Sequence, residues 1–536
     1  MNGRRKKMKT KIVGIFVCML MIATAVPAVT SIKNNTINTT VSSNPQVSMA
    51  GIWTEGQKLT ASDGAANDNF GLWVAFNGDT ALIGAWNDDD NGVDSGSAYV
   101  FIHTGTTWIQ QAKLLALDGQ AGDSFGSSVS LSGDTALIGA RWDDDNGNKA
   151  GSAYVFTRTG TTWTQQAKLL AADGVAEDRF GGSVSLDGDT AIISAWFDND
   201  NGNGSGSAYV FTRTGTTWTQ QAKLLASDGQ AGDDFGDVSL SGDIALIGAA
   251  LDDDNGVDSG SVYVFIRTGT TWTQQAKLLA SDGQAGDQFS RWAVSLDGDT
   301  ALIGAEGDDD NGVDSGSAYV FIRTGPNWTQ QAKLLASDGA TQDYFGNSVS
   351  LSGDTVLIGA ENDDDKGTNS GSAYVFTRTG TTWTQQQKLL TSDGAAGDQF
   401  GYPVFLSGDT ALITAVYDDD MGTNSGSVYV FTKESETPNL TFSITGGLGV
   451  HLNIKNNGTA NASGVSWQLH VEGGILGRIN KTLNGTIDIP AGLGVTVSVG
   501  TGMLFGFGPI SITAKVADEE KTATGWQLII FSMVKK

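Results

Sequence analysis

The sequence predicts an all-β protein: a seven-bladed β-propeller of four-stranded blades, its N-terminal strand closing the last blade, followed by a small Ig-like β-sandwich. Three observations predict it. A marker, Phe-Gly in six units and Phe-Ser in one, recurs at Phe70, Phe125, Phe180, Phe235, Phe289, Phe345 and Phe400, at intervals of 55, 55, 55, 54, 56 and 55 residues. Each unit holds four short β-patterned runs separated by turn-forming residues, and four strands in about 40 to 50 residues, repeated several times, mark a propeller. The seventh unit breaks off after its third run, Ser427–Lys433, and the missing fourth run, with its Trp-x4-Lys spacing, stands ahead of the first unit at Trp53–Leu59. Such a permuted repeat ties the two ends of a ring together and leaves no open edge, whereas an open β-solenoid has no use for the offset.

The N-terminus reads as an export signal. Residues 1–11 are strongly basic, 12–26 form an apolar run of fifteen, and small residues follow around 25–28. Fifteen apolar residues are short for a bilayer span, which takes about twenty. Residues 1–28 are therefore expected to be a signal peptide, and 29–50, rich in Asn, Ser and Thr, a polar linker. Cys18 lacks the small residue that precedes a lipidated cysteine. No later run is long enough to cross a membrane, the nearest being nine residues at 526–534, so the mature chain is expected to be extracellular, secreted or at the cell surface.

Residues 51–433 form the repeat. In the unit that opens at Phe125, residues 129–131 alternate apolar and polar, and Ser132-Gly133-Asp134 supplies a hairpin turn. Thr135–Ala140 is a nearly continuous apolar run, as in a strand covered on both faces. A long Asp/Asn/Gly loop, the run 152–158, a turn at Thr159-Gly160 and the run 161–170 complete the unit. The Trp at 53, 108, 163, 218, 272, 328 and 383 recurs in every unit and reads as packing between sheets.

Three landmarks recur in order with one period: the opening Phe-Gly; the Gly-Ala at Gly84-Ala85, Gly139-Ala140, Gly248-Ala249, Gly304-Ala305 and Gly359-Ala360; and the Gly-Ser-Ala/Val-Tyr-Val-Phe strand. Together they resemble the FG-GAP repeat of integrin-α-type propellers, over about seven tenths of the chain. The sequence departs from that pattern in two ways. Trp86, Arg141, Trp196, Ala250, Glu306, Glu361 and Val416 replace its Pro, and units three and seven carry Ser194-Ala195 and Thr414-Ala415. The calcium loop that the resemblance implies between the first and second strands is here only Ser-Gly-Asp or Asp-Gly-Asp, so those sites do not carry across.

Composition narrows the function. A net charge of -27 opposes nucleic acid as a partner. One Cys and three His, at 103, 451 and 470, leave no disulfide framework, thiolate zinc site or histidine-based centre. Of the 59 acidic residues 50 are Asp, which points to oxygen-rich turns. They cluster between the second and third strands: Asp88 to Asp90, Asp143 to Asp145, Asp198 with Asp200, Asp252 to Asp254, Asp308 to Asp310, Asp363 to Asp365 and Asp418 to Asp420. The blade-to-blade loops add Asp63, Asp118, Asp173, Asp228, Asp282, Asp338 and Asp393 with Asp68, Asp123, Asp178, Asp233, Asp287, Asp343 and Asp398. In an up-and-down blade both loops leave on one side, so one face is expected to be intensely negative.

Two readings of the acidic loops stand together. Dense carboxylates on Gly-containing loops suit Ca²⁺, with Asp88 and Asp90, Asp143 and Asp145, Asp198 and Asp200, Asp252 and Asp254, Asp308 and Asp310, Asp363 and Asp365, and Asp418 and Asp420 as ligands. Equally, Asp-Asn-Gly runs form solvated turns held by side-chain to backbone hydrogen bonds. The two positions before each triplet vary where the rest of the unit is copied, and their aromatics Trp86, Trp142, Trp196, Phe197 and Tyr417 are candidates for a ligand face, or pack beneath the neighbouring loop.

No Ser/His/Asp arrangement, His-Glu-x-x-His or phosphate-binding loop is present, and His103 takes a place that other units give to Arg. After a short linker at 434–438, the apolar alternations 440–444, 450–454, 465–471, 494–499, 510–516 and 525–534 predict the sandwich over 439–536. Sequons at Asn34, Asn38, Asn203, Asn327, Asn439, Asn457, Asn461, Asn480 and Asn484 permit N-glycosylation. The sequence thus reads as a non-enzymatic, monomeric, exported recognition or adhesion protein whose acidic face, with Ca²⁺ or with solvated turns alone, binds a protein or glycan. The alternatives are a secreted carbohydrate-active enzyme using paired carboxylates and a structural envelope component without a ligand.

Overall fold

The computed structural model describes residues 37–42, 51–105, 107–434, 438, 440–447, 449–458, 460–475, 479–490, 493–499, 506–517, 519–529 and 531–535. The signal peptide expected at 1–28 lies outside them, as does most of the expected linker. Residues 53–433 form one compact unit, and 434–536 with the N-terminal segment form another.

The first unit consists of seven four-stranded antiparallel sheets. Six sheets take four consecutive strands; the seventh combines 400–407, 410–415 and 427–433 with Trp53–Leu59, which pairs antiparallel with Ser427–Lys433 from Trp53↔Lys433 to Leu59↔Val428. The ring is closed by its own N-terminal strand, as the permuted repeat predicts. Phe70, Ile83 and Tyr99 of the first blade accordingly share a core with Leu412, Val428 and Val430 of the last.

Each second strand is apolar throughout because both its faces are covered. Ala81, Ile83 and Ala85 point to the last blade, and Leu82 to the second. Gly84 admits the next blade: a Cβ there would stand 2.1 Å from the Gly126 carbonyl oxygen. The Phe of each marker sits edge-on to the Tyr of the third strand, with centroids 5.4 Å apart for Phe70 and Tyr99. The repeated Trp residues each join one of the seven inter-blade clusters.

Around the channel, neighbouring inner strands are joined by serine hydroxyls: Ser130 accepts from the Leu186 N–H at 3.0 Å, and Ser185, Ser239, Ser295 and Ser350 do likewise for Leu240, Leu296, Leu351 and Leu406. At the seam the ladder gives way to packing, with Phe405 and Ala75 in the serine place and Phe405 against the first-blade core.

The C-terminal strands form a small sandwich. One layer orders 37–42, 494–499, 449–456 and 440–447, and the other 531–535, 519–529, 506–516, 462–473 and 479–489; a single residue pair, Gly447↔Ser532, links them. Leu452, Ile454 and Val497 of the first layer share a core with Leu469, Val471 and Ile512 of the second. Three details differ from the sequence reading. Ile37–Ser42, expected in the linker, pairs with Gly494–Val499. Ile479–Ile489 is an additional strand, and the expected run 525–534 is divided between Glu519–Ile529 and Phe531–Lys535. Polar strands with mostly exposed side chains, such as Ile479–Ile489, carry no apolar alternation to announce them.

The closing strand bears the stability of the ring. Trp53→Ala empties a site that is 2 % exposed and is expected to cost about 3 kcal/mol, read by denaturant unfolding. Removing 53–59 altogether should leave an open edge at Ser427–Lys433 and show as self-association in size-exclusion chromatography.

Candidate functional site: the channel mouth on the acidic face

The loop between second and third strands and the blade-to-blade loop lie together: the Phe125 N–H donates to the Ser95 carbonyl at 2.9 Å, and Gly122 to Val93 at 2.9 Å. All seven acidic triplets therefore face one side. The hairpin turns on the opposite side carry one Asp each, or two in the third and fifth blades, and Arg158 answers Asp134 at 2.6 Å while reaching Thr80 of the preceding blade at 2.9 Å. In the first blade His103 takes this place and stacks on Trp108 instead.

On the acidic side the first and third aspartates of each triplet converge with one blade-to-blade aspartate on a lysine of the outer strand. Lys113 Nζ lies 2.8 Å from Asp63, 2.8 Å from Asp88 and 2.6 Å from Asp90. The Tyr99 hydroxyl donates to the same Asp88 oxygen that faces Lys113, 2.9 Å away, and the Asp90 N–H donates to the other Asp88 oxygen at 3.1 Å. Burial pulls the Lys113 pKa down, but the three carboxylates outweigh it and hold it above the ordinary lysine value. Burial likewise pushes Asp63 up, and the Lys113 and Tyr99 hydrogen bonds more than reverse it.

In the structure each pair of predicted calcium ligands flanks a lysine. Lys113 stands between Asp88 and Asp90, Lys168 between Asp143 and Asp145, and Lys223 between Asp198 and Asp200. Lys277 joins Asp252 and Asp254, Lys333 joins Asp308 and Asp310, and Lys388 joins Asp363 and Asp365. The closing strand supplies the last ammonium, Lys58, for Asp418 and Asp420. The donor set is oxygen-rich, but a divalent ion at the point of convergence would have to displace a lysine that already fills it. No group of three His, Cys, Asp or Glu among the described residues forms a metal site. The turn reading holds as well: the Asp94 N–H donates to Asp89 at 2.8 Å.

The varying positions gather inside this collar, at the mouth of the channel. Arg141 lies 4.7 Å from the Trp86 ring, 5.2 Å from Trp142 and 5.8 Å from Trp196. Of the predicted ligand face, Trp86 and Trp142 are half-buried and Phe197 is exposed under Arg179, 3.9 Å from the ring. Trp196 is buried, and Cβ atoms on Gly182 and Gly236 would collide with its ring. Tyr417 is exposed and does not join the cluster.

Two further sets of residues belong to the mouth and were not singled out by the sequence reading. The residue before each Phe is in the left-handed region in all seven blades, as Asn69, Ser124, Arg179, Asp234, Gln288, Tyr344 and Gln399, with φ between 52 and 59°. None is glycine, so each accepts strain to place a side chain. The second set follows the marker: Arg291, Asn347 and Tyr402, with Asp237 and Trp292 from the two units of irregular length. Variation within a copied unit was the available signal for both.

The irregular lengths are one device. Ser290 keeps the positive φ of the marker glycine it replaces, the extra residue of the fifth unit puts Trp292 at positive φ as well, and Asp237 of the shortened fourth unit accepts the Trp292 N–H at 2.8 Å. The Trp292 ring thereby meets Trp196 of the third blade at 4.6 Å and Trp73 of the first at 6.5 Å. Rings from three non-adjacent blades thus bridge the channel. Trp73 and Trp292 also border a cavity of about 170 Å³ lined by valines and serines of the inner strands.

The mouth also carries buried carboxyls. Burial raises Glu306 and Glu361 to about 7, even with Arg291 3.4 Å from Glu306. Burial raises Asp237 to about 8 and Asp234 to about 6. The mouth thus presents aromatic and cationic groups together with weakly ionised carboxyls.

A closed ring of seven four-stranded sheets is a β-propeller, and the family follows from its repeats. A family model for the FG-GAP repeat matches 53–101, 108–156, 163–211, 218–265, 272–321, 328–376 and 383–431, and the chain belongs to that family. Each match begins at the outer-strand Trp of one blade and ends in the third strand of the next. No curated protein matches the chain. Among solved structures, Saccharomyces cerevisiae Sqt1 is similar at 11% identity with a TM-score of 0.41, over 90% of this chain and 99% of that one, a likeness too remote to bear on function.

The two kinds of carboxyl oppose each other with pH. The blade-to-blade aspartates of the cages, such as Asp63 and Asp118, have lowered pKa values, so their stabilisation is present at neutral pH and lost as pH falls through the carboxylate range. The mouth carboxyls have raised values, so their contribution is complete below the ordinary carboxylate range of about 4 and is lost as pH rises from there through about 6 to 8. The melting temperature is expected to decline between pH 6 and 8.5, and Glu306→Gln with Glu361→Gln should flatten that decline in scanning calorimetry.

Proposed function

We propose that this chain is an exported recognition protein of the cell surface or its surroundings, which binds a protein or glycan through the channel mouth on the acidic face. The observation that carries this reading is the division of the repeat. Positions that build cages, cores and ladders are copied from blade to blade, while those that differ collect at one end of the channel, several in strained backbone. The basic and apolar N-terminus supports export, and no helix of the described residues is long and apolar enough to cross a membrane. We take the lysines, rather than Ca²⁺, as the resident cations of the loops.

Screening against glycans and envelope fractions is expected to find a ligand whose affinity falls about tenfold or more in Trp142→Ala with Phe197→Ala, at unchanged melting temperature. Chelator should leave both binding and melting temperature unaltered. A calorimetric titration showing heat with Ca²⁺ and a rise in melting temperature would return the metal to the loops.

Glu306 and Glu361 favour a second reading, a carbohydrate-active enzyme, because burial gives both a protonation equilibrium near neutrality. Polysaccharide turnover that disappears in Glu361→Gln would establish it; binding without turnover is the expected result.

A further inference from the structure

Arg141 is the anomaly of the mouth. In a chain of net charge -27 it makes no ion pair among the described residues, and its Nε is buried without a hydrogen-bond partner. Trp86, Trp142 and Trp196 surround it with π faces, which attract a cation but accept none of the in-plane guanidinium N–H groups. The Trp86 Nε1–H beside it is also buried without an acceptor, as is Nε of Arg179 above Phe197. Buried donors left unmatched are costly, and three in one place mark where an acceptor arrives. Burial also pulls the Arg141 pKa down to about 10, consistent with a charge lacking an anionic partner.

We propose that the Arg141 cage is a subsite for a sugar end group bearing a carboxylate, a uronate or similar acidic pyranose. The guanidinium fork would take the carboxylate, and the half-buried faces of Trp86 and Trp142 would cover the ring. The proposal rests on the recognition reading above and specifies its ligand. An end group is favoured over an acidic protein surface because of the collar. Seven cages, each with three carboxylates around one lysine, repel an extended acidic surface, whereas a single pyranose can pass inside them. The indoles of Trp292 and Trp73 bridge the channel, so the group rests at the mouth.

The test is tryptophan fluorescence and ligand-observed NMR on the full chain with methyl β-D-glucuronoside, methyl β-D-glucoside and a blocked peptide containing one Asp. The glucuronoside is expected to bind roughly tenfold or more tighter than the glucoside, with a change in tryptophan emission. Arg141→Gln should abolish that preference and Arg141→Lys should restore part of it, both at unchanged melting temperature. Equal binding of the two sugars, unaltered glucuronoside binding in Arg141→Gln, or preference for the peptide would overturn the proposal. If no sugar binds while Trp142→Ala with Phe197→Ala still weakens attachment to envelope fractions, the subsite fails and the recognition reading stands. If that attachment is also unaffected, both fail.

Discussion

Everything in the ring depends on one strand pair, Trp53–Leu59 with Ser427–Lys433. Each second strand is apolar on both faces, so no blade is stable without two neighbours, and an open array would expose an apolar sheet at each end. The closing strand supplies more than backbone hydrogen bonds. Trp53 and Leu59 fill the cores on either side of the last blade, and Lys58 provides the only ammonium of its cage among the described residues. Closure, packing and charge compensation are delivered together by seven residues.

The acidic loops show that residue type alone does not say which cation a group of carboxylates holds. Asp-rich, Gly-containing loops have the oxygen chemistry of calcium sites, but the same convergence of carboxylates attracts an ammonium from the outer strand. The lysine lies 50 residues beyond its blade-to-blade partner Asp63 and 25 beyond Asp88. A local motif search does not join them. Because every cage is copied, this part of the face is scaffold, and the uncopied mouth within it is where the chain acquires individuality.

The fourth and fifth units make the same point about irregularity. One lacks a residue and the next has one more, and by length alone the changes cancel. In the folded ring they instead meet: Asp237 sits opposite Gly248 and holds the bulge that carries Trp292 across the channel. The third unit shares in this, since Ser194 replaces a glycine where the shortened strand follows, and Gly236 makes room for Trp196.

Blade number, strand order, closure and the inter-blade role of the repeated Trp were legible in the sequence, because each is a matter of period and alternation along the chain. The acidic face was legible too, since up-and-down connectivity sends alternate loops to alternate sides. The partners of the aspartates, the gathering of Trp86, Arg141, Trp142 and Trp196, and the meeting of Trp73 with Trp292 were decided only by tertiary structure. Each cage joins an outer-strand lysine to loops distant along the chain, 25 and 50 residues back for Lys113, and the contacts at the mouth join different blades at distances set by the curvature of the closed ring, which no local spacing encodes.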